Sequence, residues 1–382
     1  MAKGKNKPTK SNKASQKKAK VHYNRGPGMV FVMVALIVIG VVFWANKPIT
    51  TNKVDRSKAE SPTSNPKSVL WEPEEESKVF SKYAGSDSCK KCHQEEFDLW
   101  HGSDHQLAER LPDAAMDTEA FSPTREFTHP MATSQMYADG DRFQIATKGL
   151  SGTNEAFKVE RVIGEKPLRQ YLVKFPRGLL QAVDLSYDPH KNEWFNVFGD
   201  EDRQPGEWGH WSGRGMNWNT QCASCHNTRL RKNHDEATDS YHTTMAERSI
   251  GCEACHGPMK AHVDWQLENP ENSIPDPTSR ALDQTQWLAT CGACHSRRTE
   301  LTGDFQPGDH YLDHFSHVIP DETDIYYADG QVRGENYVLT SFLSSRMHHA
   351  GVRCMDCHEP HSGKPLQSGN ALCMRCHTGA YP

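Results

Sequence analysis

The longest apolar run in the chain is "MVFVMVALIVIGVVFWA", residues 29–45, which carries no charge. It sits at the short end of the ~17–25 residues that cross a bilayer as a helix. Residues 1–28 before it hold nine basic residues and no acidic ones. A basic flank stays in the cytoplasm, and Trp44 suits the far interface. A cleaved signal peptide is the rival reading, but Phe43 stands where cleavage needs a small residue, so an uncleaved transmembrane anchor is expected. Residues 46–82 are polar and punctuated by prolines, the pattern of a flexible tether.

Beyond the tether the pattern shortens. "RFQIATKG" after an Asp139-Gly140 turn, "AFKVERVIG", "YLVKFPRG" and "LLQAVDLSY" alternate moderately and read as strands, which predicts a β-rich insert over about 136–200. "TSFLSSRMHHAG" reads as a short helix closed by glycine, and "DSCKKCHQEEFDLWHGSDHQLAERL" as helix around its cysteines.

Composition changes this picture in two ways. Only 36% of the residues are hydrophobic and the mean hydropathy is −0.77, a thin core for 382 residues. Something other than side chains is therefore expected in the interior. The chain has 44 basic and 49 acidic residues; without the nine basic residues of the tail, 35 face 49, a balance of −14. An acidic body excludes nucleic acid as a partner.

The twelve cysteines account for the missing interior. All lie in C-x-x-C pairs and each pair is followed by histidine. The six motifs are Cys89, Cys92, His93; Cys222, Cys225, His226; Cys252, Cys255, His256; Cys291, Cys294, His295; Cys354, Cys357, His358; and Cys373, Cys376, His377. Zinc ribbons and redox motifs use C-x-x-C without requiring histidine next. With 21 histidines in 382 residues, six would trail such pairs by chance roughly 3 times in 10⁸, so the c-type haem attachment motif is preferred. Two thiols three positions apart reach the two vinyl groups of one haem, and the next residue supplies the proximal imidazole. Six covalent haem c groups are expected. The fold class that follows is mainly α, with irregular haem-wrapping segments around the β-rich insert, behind an N-terminal transmembrane helix. Residues 83–382 form the hexahaem domain. Haem attachment takes place outside the cytoplasm in bacteria, so the expected location is the cytoplasmic membrane, single-pass, with the haem domain on the periplasmic side.

Six irons require up to six further ligands. Apart from the proximal histidines and His22 in the basic tail, fourteen histidines remain: His101, His105, His129, His190, His210, His234, His242, His262, His310, His314, His317, His348, His349 and His361. Met259, Met347, Met355 and Met374 lie near motifs and could serve instead, but the surplus of histidine favours bis-histidine coordination. His361 follows His358 by three residues, a reach of at most ~11 Å. That is too short to pass round the macrocycle comfortably, so His361 is expected on a neighbouring haem. The same reasoning gives one of His348 and His349 to another iron.

"GSDSCKKCHQEEFDLWHGSDHQLAE", "HWSGRGMNWNTQCASCHNTRLRKN", "GCEACHGPMKAH" and "MHHAGVRCMDCHEPHSGKPLQSGNALCMRCH" together resemble the multihaem c-type cytochromes related to cytochrome c-554 and hydroxylamine oxidoreductase. The resemblance covers roughly residues 83–382. It implies closely stacked, mostly bis-His haems that move electrons, with His105, His129, His210, His262, His349 and His361 as distal ligands. Many relatives continue past "NALCMRCH" with further haem motifs, whereas five residues follow His377 here. That points to a short form or to an absent C-terminal part. Enzymatic members keep one haem open or replace a proximal histidine by lysine; all six motifs here end in histidine.

Three functions compete. The first is an electron carrier passing charge between other redox proteins as donor and acceptor, without catalytic residues of its own; its oligomeric state is left open. The second is a haem-dependent oxidoreductase of nitrogen or sulfur oxyanions, which needs one open haem. The third, a quinol dehydrogenase, ranks lower because 43 residues separate the apolar run from Cys89.

Overall fold

The computed structural model describes residues 74–129, 132–201, 203–271, 274–333 and 337–379. Its largest element is an antiparallel sheet built from β1 (Glu109–Arg110), β2 (Arg125–His129), β3 (Ala132–Asp139), β4 (Arg142–Lys148), β5 (Asn154–Ile163), β6 (Arg169–Lys174), β7 (Leu180–Asp188) and β8 (Glu193–Asn196). The strands β2 to β8 run in sequence order, each pairing with the next. β3 turns into β4 through Asp139-Gly140, where Gly140 takes a φ of 63° that glycine adopts without strain. β5 is long enough to serve two partners along one edge: β4 pairs with its first half and β1 with Val162 and Ile163. Register shifts in β5–β6 and β6–β7 bend the sheet. Arg125 of β2 donates to Asn192 in the β7–β8 turn (2.9 Å), so the two ends of the sheet approach each other.

The sheet encloses a side-chain core. Phe121, at the end of the helix Ala114–Phe121, packs against Phe143 (4.7 Å between ring centres), Tyr171 (5.1 Å) and Trp194 (5.4 Å). Met136, Ile145, Val159, Val162, Val183 and Leu185 complete the cluster. Buried Asp117 on the same helix accepts both Arg110 guanidinium nitrogens at 2.7 and 2.8 Å, which satisfies a charge that would otherwise be costly to bury.

Two expectations are corrected here. The chain is not mainly α. Among the described residues the longest helices have nine residues, Lys260–Glu268 and Gln284–Gly292, while strands reach ten and form one eight-stranded sheet. The helical expectation came from reading haem-bearing segments as helix; several are only one turn long, as at Ala223–His226 and Cys252–His256. The expected single-pass location in the cytoplasmic membrane is also overturned. Among the described residues, no helix is long and apolar enough to cross a membrane. The span expected at residues 29–45, with the basic tail before it, lies outside the described residues.

Candidate haem-attachment sites

Two buried carboxylates, Glu109 and Glu253, and the half-buried Glu247 hold the motif segments in place. Glu109 of β1 accepts Arg161 Nη1 (2.6 Å), Trp218 Nε1 (2.6 Å) and Asn227 Nδ2 (2.9 Å), fixing the second motif to the sheet. Glu253, inside the third motif, accepts the backbone N–H groups of Ala84, Gly85 and Met259. Glu247 accepts Ser86 Oγ (2.8 Å), and Ser86 Oγ in turn accepts the Cys252 N–H (2.9 Å). The first and third motifs are thereby locked together. Gly251 permits this close approach, because a Cβ there would lie 2.3 Å from Glu247 and 2.5 Å from Ser86.

The motifs form one connected cluster. Cys89 lies beside Cys252, Cys225 beside Cys294, and Cys291 beside Cys354. In each pair the neighbouring thiol pushes one partner up and the other down: Cys89, Cys294 and Cys291 are raised, and Cys252, Cys225 and Cys354 are lowered. Trp287, on the helix leading into the fourth motif, meets His256 of the third edge-on at 6.3 Å. Arg375 of the sixth motif donates to the Asp356 carbonyl of the fifth (2.7 Å). Gln284 donates to the carbonyls of His348 and Val352, both at 2.9 Å, tying the fifth motif to the fourth.

The imidazoles carry the clearest geometry. His262 faces His93 with ring centres 6.2 Å apart, His105 faces His295 at 6.2 Å, and His361 faces His256 at 6.4 Å. Each pair joins a motif histidine to a histidine from elsewhere in the chain. Two imidazoles sharing one metal ion, each through a bond of about 2 Å, have ring centres roughly 6 Å apart. His361 thus lies against the third motif rather than its own.

Hydrogen bonds prepare the rings for that role. His262 Nδ1 is bonded to Asp276, whose other oxygen accepts Thr278 N (2.7 Å) and Oγ1 (2.6 Å). His361 Nδ1 is bonded to Glu359 Oε1 at 2.9 Å. Burial pushes both carboxyls up, but the hydrogen bonds from Thr278 and His262, and from Ser362 and His361, outweigh it and hold each at about 2. His105 lies beside the Pro360 carbonyl. His226 Nδ1 lies 2.8 Å from the Ala108 carbonyl. A histidine held at Nδ1 presents Nε2 to a metal. His256 and His295 have open ring faces but stand among packed neighbours, and that desolvation pushes their pKa down, favouring the neutral form that ligates.

The twelve cysteines also fit an attached group. All are free thiols, and none is buried, although unpaired cysteine is among the most buried residue types. His93, His256, His295, His358 and His377 are exposed as well. Apolar side chains are exposed among them, including Leu267 (68%) and Met374 (64%). Paired thiols, opposed imidazoles and uncovered apolar surface are the lining that a macrocycle requires.

The remaining distal candidates lie elsewhere. His129 and His210 line one cleft at the sheet with Asp184, Asn196 and Arg203, and no cysteine lines that cleft. His129 Nε2 meets the Gly199 carbonyl (3.2 Å), and His210 Nδ1 meets Ser212 Oγ (2.7 Å). His349 lies beside His348 at 5.2 Å, and it is His348 whose Nδ1 is held, by the Leu343 carbonyl (3.0 Å). Among the described residues no imidazole faces His226 or His358 at a comparable spacing. Sequence reasoning missed Asp276 and Glu359. Glu359 stands two residues before His361, a readable signal, whereas Asp276 lies fourteen residues beyond His262 and gave none.

Comparison with known proteins agrees with the motif reading over part of the chain. The family described as cytochrome c554 and c-prime matches residues 204–257. The crystal structure of the outer cell wall cytochrome OcwA aligns with a TM-score of 0.46 at 18% identity, covering 75% of this chain and 58% of that one. The chain thus spans less than two thirds of that structure's length. No curated protein matches. Over residues 204–257, which hold the second and third motifs, the chain is similar to the cytochrome c554 and c-prime family.

Proposed function

We propose that the protein is a multihaem c-type cytochrome that transfers electrons between redox partners, with six haem c groups held by residues 83–382. The observation that carries this reading is the set of three opposed imidazole pairs, His93–His262, His105–His295 and His256–His361. Cys89 and Cys92, Cys222 and Cys225, Cys252 and Cys255, Cys291 and Cys294, Cys354 and Cys357, and Cys373 and Cys376 would hold the groups covalently. Bound haem supplies one-electron chemistry at iron. The chain's own part is to bring the motifs together, to favour the neutral form of His105, His256 and His295 by desolvation, and to fix the His262 and His361 rings through Nδ1. Redox proteins as donor and acceptor follow from that function; acidic surface would steer basic ones to it in a salt-dependent way.

A second reading, reduction or oxidation of nitrogen or sulfur oxyanions at an open site, is favoured by one observation: no imidazole faces His226 among the described residues. Intact mass with haem staining counts the attached groups, and electron paramagnetic resonance separates the readings. Six attached groups with low-spin iron throughout are expected of a carrier. A high-spin signal that responds to an added oxyanion favours the enzyme, and an unmodified polypeptide mass overturns both.

A further inference from the structure

The three imidazole pairs do not have equivalent surroundings. His262 donates through Nδ1 to the Asp276 carboxylate, which is itself fixed by both donors of Thr278. His361 Nδ1 lies 2.9 Å from Glu359, which the His361 and Ser362 backbone N–H groups also hold. The ring of His105 has no carboxylate bonded to it: the neutral Pro360 carbonyl lies beside it, and the Asp104 carboxylate acts on it only through space. Pro360 lies between Glu359 and His361, so one short turn presents an anion to one pair and a neutral dipole to another.

Resting on the bis-histidine reading above, we infer that Asp276 and Glu359 are positioning residues that lower the reduction potential at the His93–His262 and His256–His361 sites relative to the His105–His295 site. A carboxylate bonded to Nδ1–H draws the proton toward itself and makes Nε2 a stronger donor. A stronger donor, with a nearby negative charge, favours the ferric over the ferrous state. With haem bound, the iron would exchange one electron with the redox protein acting as donor or acceptor, and the Nδ1 proton would stay in its hydrogen bond. The carbonyl beside His105 is neutral, and the Asp104 carboxylate near it is not bonded to the ring, so its influence on Nε2 is weaker. The chain therefore builds inequality into sites whose iron-facing ligands are chemically identical.

The test uses the full-length, haem-loaded protein and the charge-neutral variants Asp276→Asn and Glu359→Gln, which keep an acceptor oxygen. Asp141→Asn, on the exposed β3–β4 turn, controls for the loss of one charge. Potentiometric titrations followed optically and by electron paramagnetic resonance read individual midpoints. In each of the first two variants one midpoint is expected to rise by the equivalent of a tenfold change in the oxidised-to-reduced ratio, about 59 mV for one electron, with low-spin signals retained. Low-spin signals with midpoints unmoved, or moved no more than in Asp141→Asn, overturn the inference and leave the bis-histidine reading standing. Loss of no low-spin signal in His262→Ala and His361→Ala overturns the bis-histidine reading itself. Should one neutral variant fail to fold, the other tests the same statement at a separate site.

Discussion

The sheet and the motif cluster are stabilised by different means. Between Ala114 and Ala223 the chain buries Phe121, Met136, Ile145, Tyr171, Val183, Tyr187, Trp211 and Trp218 to 2% exposure or less. From Cys252 onward the buried apolar side chains among the described residues are few: Leu288, Ala289, Ala293, Phe315, Tyr326 and Leu339. Yet that second region is long, and it carries four of the six motifs. A segment so poor in apolar burial cannot offset its conformational entropy with side chains alone. The comparison teaches that hydrophobicity averaged over the chain conceals two cases: a sheet that fills its own interior, and a cluster whose interior must be supplied.

The strongest way to break that contrast is to withhold the supplied interior. Protein made without haem attachment, or with the motif cysteines replaced by alanine, should keep slow amide exchange in β3 to β7 and lose it across 252–379. Hydrogen exchange read by mass spectrometry checks this. Uniform protection in both regions would show that the motif cluster folds without attached groups. The converse perturbation is Phe121→Ala, which removes a ring in contact with three other aromatic rings. It should cost about 3–5 kcal/mol in the sheet while the Soret band of the folded protein is unchanged. An altered Soret band would mean that the two regions are not separable.

Single imidazoles sharpen the contrast at smaller scale. His361→Ala should turn one low-spin centre high-spin, and because His361 faces His256, that centre belongs to the "CEACH" motif rather than to "CMDCH". Proteolysis to motif peptides should show both groups still attached. His129→Ala should leave the spectrum unchanged, since His129 lies in a cleft that no cysteine lines. A spectral change in His129→Ala would place that cleft against iron after all.

This division also explains what could be read in advance. The stretches "RFQIATKG", "AFKVERVIG", "YLVKFPRG" and "LLQAVDLSY" are β4, β5, β6 and β7 because their alternation is enforced by a side-chain core. β2, with its "REFTH", and the two-residue β1 carry no comparable pattern, since each is specified by a partner strand rather than by its own periodicity. In the motif cluster, cysteine spacing marked attachment, but backbone geometry there answers to a group the periodicity does not encode. Helix was read where single turns stand. His105, His262 and His361 were legible as ligand candidates from the resemblance, and their partners were not, because each pairing joins segments distant in sequence or from different motifs.

The smallest effect concerns acid, and it should be confined to the sheet. His210 is 5% exposed, and desolvation lowers its pKa from the ordinary 6.5. The Ser212 N–H donates to His210 Nδ1 (3.2 Å), so that nitrogen must keep its lone pair and the ring must stay neutral. The unfolded chain takes up the proton more readily than the folded one. Stability from this site is therefore complete above pH 6.5 and declines as pH falls toward the lower folded value, by at most about 1.4 kcal/mol per pH unit for one proton. Thermal melts of the sheet, followed by its tryptophans from pH 7.5 to 5.5, should slope downward, and less so in His210→Gln. An equal slope in that variant would show that another group governs the acid response. A slope appearing instead in the Soret band would tie His210 to the motif cluster, against the side-chain core in which it is buried.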